Sequence, residues 1–126
     1  MKFFGFICVF FFLLSCNPTY VIAIQNNSSE IIKLKAQVSE RFHSNNFDSV
    51  VITYYDNNWI EADIKPKQQL DCGFAIAGLK NNIPFNEMII LKNKDTISAK
   101  NHKELLELFD NRGFGNIMTP YIFIID

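Results

Sequence analysis

Cysteine is scarce in this chain and poorly placed for stapling. Of the three Cys, Cys8 and Cys16 lie in or beside an apolar N-terminal run, leaving Cys72 alone in the body of the protein. One thiol excludes an internal disulfide, so any fold here rests on packing. Histidine is scarcer still: His43 and His102 are far apart in sequence, with no Cys or carboxylate at ligand spacing. That pattern argues against a metal centre and fits two surface histidines near helix ends. No excess of positive charge is present either, with 12 basic against 13 acidic residues and a net charge of −1. Nucleic-acid binding needs clustered Lys and Arg, so it is not expected. Glycine numbers only five, and Gly113-Phe114-Gly115 follows a candidate helix instead of opening one, which argues against a phosphate-binding loop. Nothing in the chain implies a cofactor, and 126 residues without a repeat hold one domain.

What the chain has in excess is phenylalanine at its start. Six of its thirteen Phe lie within residues 3–12, in an apolar stretch, Phe3–Leu14, that follows Lys2. The stretch is too short for the roughly 20 residues a membrane-spanning helix needs. A basic start followed by a short apolar run is the anatomy of an export signal. It ends in Leu13-Leu14-Ser15-Cys16, which resembles the signal of bacterial lipoprotein precursors. The resemblance implies cleavage before Cys16 and lipidation of that residue, placing the protein on a membrane of the cell envelope, facing the periplasm or exterior. A rival cut after Val21-Ile22-Ala23 would release a soluble secreted or periplasmic binding module. The resulting division is a signal peptide over 1–15, a tether over 16–27 and one small domain over 28–126. Within the tether, NPTYVIAIQNN also reads as a short docked strand.

From Asn27 the pattern predicts a helix over Ser28–His43. Asn27 is its cap, Glu30 reaches back as in a capping box, and Ile31, Leu34, Val38 and Phe42 recur at helical spacing. A hairpin follows: DSVVITYYD, an Asn57-Asn58 turn suited to positive φ, and the alternating WIEADIK, stopped by Pro66. Residues 67–82 lean to strand over helix because Gly73 and Gly78 interrupt them. EMIILK and Thr96–Ala99 form a second hairpin about Asn93-Lys94-Asp95. A second helix starts near Asn101, carries Leu105, Leu106, Leu108 and Phe109 inward, and stops at Asn111-Arg112-Gly113. NIMTPYIFIID closes the chain as a strand, its Pro120 suiting an edge or a bulge. The expected class is α+β: an antiparallel sheet with an N-terminal helix and a second helix before the last strand, both layered on one face. The stretch HKELLELFDNRGFGNIMTPYIFI resembles small bacterial domains of unknown function through Leu105, Leu108, Gly113 and Phe114.

Two groups of residues are candidates for function. Leu70-Asp71-Cys72-Gly73-Phe74 resembles the nucleophile region of papain-like peptidoglycan peptidases, which implies Cys72 at a helix N-terminus with His102 as its base. That family has Ser between Cys and Gly, and this chain does not. The competing reading of Cys72 is a small buried hydrophobe. The second group is Tyr54, Tyr55 and Trp59, which meet across the predicted hairpin as a binding face for glycan or protein, or as core. Alternation sets Tyr54 with Val50 and Ile52, and Tyr55 with Val51 and Thr53, so at least one Tyr is expected inside. The function expected is that of a non-enzymatic envelope lipoprotein, anchored through Cys16, acting through protein or envelope contacts.

Overall fold

The structure, a computed structural model, describes residues 19–76, 78–109 and 121–126. The apolar run Phe3–Leu14, Cys8, Cys16, Pro120 and the stop at Asn111-Arg112-Gly113 lie outside them. The described residues form strands β1 (Thr19–Asn26), β2 (Ile32–Val38), β3 (Val51–Tyr54), β4 (Trp59–Ile64), β5 (Gln69–Ile76), β6 (Phe85–Lys92) and β7 (Asp95–Ala99). A helix α1 (His102–Phe109) and a last strand β8 (Tyr121–Ile125) complete them. The strands build two sheets, β5-β1-β8 and β3-β4-β2-β6-β7. The expected α+β arrangement, one antiparallel sheet under two helices, is therefore corrected. This is a β-rich fold with one short helix among the described residues, and β8 runs parallel to β1.

The segment expected as the N-terminal helix is instead β2, the middle strand of the larger sheet, hydrogen-bonded to β4 and β6 on its two sides. IKLKAQV alternates strictly. Ile32, Leu34 and Ala36 are fully buried, while Lys33, Lys35 and Gln37 point to the other face. Leu34 and Val38 belong to both the helical and the strand pattern, and burial on the sheet decides between them. Ile31, which the helix would bury, is 58% exposed. The proposed cap residues have other work. Asn27 donates its N–H to Ile125 O at 2.8 Å and Glu30 donates its N–H to Ser28 Oγ, while Ser28 donates its N–H and its hydroxyl to Asn26 Oδ1, in a tight polar turn that competes with helix.

The stretch read as tether or docked strand is β1, at the centre of its sheet. It pairs antiparallel with β5 from Thr19↔Ile76 to Gln25↔Gln69, and parallel with β8 from Ile22↔Tyr121 to Asn26↔Ile125. Its middle, Ile22-Ala23-Ile24, is inaccessible to solvent. The folded unit thus begins at least nine residues before the expected start at residue 28. At the end of β1, the buried Asn26 ties the sheets together. Its Nδ2 donates to Glu30 O at 2.7 Å and to Ile64 O at 2.9 Å, while its backbone N–H donates to Gln68 O at 3.0 Å.

Elsewhere the expected elements stand where local chemistry puts them. Asn57 and Asn58 take φ of 59° and 64° in the turn joining β3 to β4. Residues 69–76 are strand. At helix α1, Asn101 Oδ1 accepts the Glu104 N–H at 2.9 Å, and Glu104 reaches back to the Lys100 N–H at 2.7 Å, much as a capping box does. Leu105 and Phe109 of α1 join Ile22, Ile24, Leu34, Ile60, Leu70, Met88 and Ile90 from the two sheets in one continuous core.

Candidate aromatic cleft

Residues Tyr54, Tyr55 and Trp59 come together at the β3–β4 end of the larger sheet. All three line a cleft of about 520 Å³, whose walls also include Phe42, His43, Ser44 and Asn58. Tyr54 and Tyr55 are 66% and 52% exposed, which corrects the expectation that one Tyr is inside. The face assignment itself holds. Tyr54 pairs with Ile60, and Ile60 is buried. Burial fades along that face, from Val50 at 2% to Tyr54, because β3 is a four-residue edge strand. Tyr55 leaves the strand entirely, and its N–H closes the turn on Trp59 O at 2.8 Å.

Tyr55 and Trp59 also form the wall of a smaller depression of about 260 Å³, completed by Lys35, Ile60 and Glu61. The Tyr55 hydroxyl donates to Glu61 Oε2 at 3.4 Å, and Glu61 in turn pairs with Lys35 at 3.7 Å. Tyr55, Trp59 and Ile60 thus line both hollows. Aromatic rings with polar tips on a rigid hairpin supply contact area at low entropic cost. Phe42 and His43 were not legible as members of this site, because the sequence assigns them to a helix. In the fold they lie on the loop after β2, held by the His43 N–H donating to Cys72 O at 2.9 Å. That loop crosses a bulge of β5, where Gly73 pairs with Ile22, Asp71 with Ala23, and Cys72 is the extra residue between them. Gly73 is required there, since a Cβ would stand 2.8 Å from Arg41 O.

Cys72 sits on strand β5 and not at a helix N-terminus. It is fully buried, and its thiol donates to Leu70 O at 3.4 Å. Burial first, and then the charge of Asp71, push its pKa well above the ordinary thiol value. The thiolate is the nucleophilic form of a cysteine, and burial disfavours it here. His102 lines a different, polar cleft of about 630 Å³ with Arg41, Glu40 and Lys80, whose walls do not include Cys72. No three His, Cys, Asp or Glu converge on a metal position among the described residues. Comparison with protein-family models, with curated proteins and with solved structures finds no match to this chain.

Proposed function

We propose that this chain is an exported envelope lipoprotein, held on a membrane by lipid on Cys16, which works there by contact and not by catalysis. One observation carries the reading: β1 starts at Thr19 and is buried through Ile22-Ala23-Ile24. The rival cut after Ala23 would remove Thr19–Ala23, and with them five of the seven β1–β5 pairs and two of the five β1–β8 pairs. Ile22 alone represents about 1.5–3 kcal/mol of burial. A cut before Cys16 keeps the whole of Thr19–Asn26. Several acyl chains hold a protein on a bilayer where one does not. The aromatic cleft of Tyr54, Tyr55 and Trp59 is the contact surface this reading assigns to a protein or envelope partner.

Intact-mass measurement on the protein from its own cells tests the proposal. The expected product starts at Cys16 and carries diacylglyceryl and acyl mass. A product starting at Ile24 without lipid overturns it.

A further inference from the structure

The outer face of the three-stranded sheet changes character along β5. Its side chains there are Gln69 and Asp71 at one end, then Phe74 and Ile76 at the other. Phe74 is 39% exposed and Ile76 54% exposed, on a strand whose inward residues, Leu70, Cys72 and Ala75, are buried. The apolar end lies beside the start of β1, because Ile76 pairs with Thr19 and Phe74 with Val21. The other end lies beside Gln25, which pairs with Gln69 on β5 and with Ile124, 44% exposed, on β8. Cys16 is three residues before Thr19, so covalent geometry holds its sulfur within roughly 11 Å of backbone travel from that strand end. An acylated Cys is confined to the bilayer interface, whose two polar layers together add about 10–15 Å to the hydrocarbon core. The Thr19 end of this face therefore carries the two exposed apolar side chains of β5 and lies nearest to Cys16 in the chain.

We infer that Phe74 and Ile76 form a membrane-contact edge, seated in the lipid interface and fixing how the domain stands on the bilayer. The inference rests on the lipoprotein reading above. In this posture the Phe74 and Ile76 side chains face the lipid and Gln69 and Asp71 stay in water. Trp59 belongs to the other sheet, and this posture leaves it outside the acyl region although His43, which lines the same cleft, has its ring 6.4 Å from that of Phe74.

The test uses the full chain with its signal, purified from membranes and reconstituted in phosphatidylethanolamine–phosphatidylglycerol vesicles. Some vesicles carry lipids brominated high on the acyl chains. Trp59 is the only Trp, so a W59F/F74W variant reports from the proposed edge, and W59F/I76W repeats the measurement at the more exposed position. Intact mass of each sample reports acylation independently. The expected result is an acylated chain whose Trp at 74 or 76 shifts to shorter wavelength in vesicles and loses most of its emission to brominated lipid, while Trp59 in the unaltered chain does not. An acylated chain with unquenched, water-like emission at both positions overturns the inference and leaves the anchor standing. A chain without acyl mass overturns the anchor, and the inference with it. A short-wavelength shift that grows with protein concentration without vesicles puts a second copy on this edge, and also overturns the inference.

Discussion

Asn26 and Cys72 occupy comparable positions, fully buried on the same small sheet, yet they respond to change in opposite ways. Every hydrogen-bonding group of Asn26 is used: its side-chain amide bridges Glu30 O and Ile64 O, its Oδ1 accepts from Ser28, and its carbonyl accepts the Lys67 N–H at 2.7 Å. Asn26→Leu leaves those partners without the side chain, and each unsatisfied buried group costs about 1–3 kcal/mol. A loss of about 2–4 kcal/mol is expected, read as a lower urea midpoint with the slope unchanged. Cys72 is inert in the fold and titrates only when unfolded. Because its native pKa lies above its unfolded one, the unfolded chain releases a proton first as pH rises. Stability contributed by Cys72 is therefore present below the ordinary thiol value of 9.0 and lost as pH climbs past it, at up to about 1.4 kcal/mol per pH unit. Denaturant unfolding at rising pH measures this, and Cys72→Ala should flatten the decline by that amount. An identical decline in both proteins would show that Cys72 titrates in the native state.

Elements differ in how much of their identity is local. Helix α1 carries its own start signal in Asn101 and Glu104, and the β3–β4 turn carries two Asn that accept positive φ. Both are legible because they depend on residues within about four positions of each other. Strand β2 is not, since IKLKAQV holds good helix formers and its strand state comes from β4 and β6 on either side. Strand β1 is the extreme case, an eight-residue segment whose partners are residues 69–76 and 121–125. A chain beginning at Asn17 is expected to fold cooperatively. One beginning at Ile24 should lack the cooperative transition, because β5 and β8 lose the strand between them. Circular dichroism during thermal unfolding distinguishes the two, and a sharp transition in the shorter chain would contradict the role given to β1. The same misplacement explains the cleft: Tyr54, Tyr55 and Trp59 were visible on their hairpin, while Phe42 and His43 arrive from a loop that only the two-sheet packing brings there.

At the scale of the molecule, the proposed anchor at Cys16 lies three residues before Thr19, the first described residue of β1. Cys16→Ser should move the protein from the membrane fraction to the soluble or unprocessed fraction, without altering the stability of the β-domain. Fractionation with immunodetection measures the first effect and thermal unfolding the second. Persistence of the variant in the membrane fraction at wild-type amount, correctly processed, would mean that something other than the lipid holds it there. What the sequence by itself determined is the set of features written in near neighbours: a short apolar run after Lys2, two turns, one capped helix and an aromatic hairpin. Tertiary structure alone decided that residues 19–26 and 32–38 are central strands, that the sheet is two sheets, and that the fold includes Thr19–Asn26. The physical reason is that a strand has no hydrogen bonds of its own to make. Its state is set by the edge it finds, and here those edges belong to residues tens of positions away.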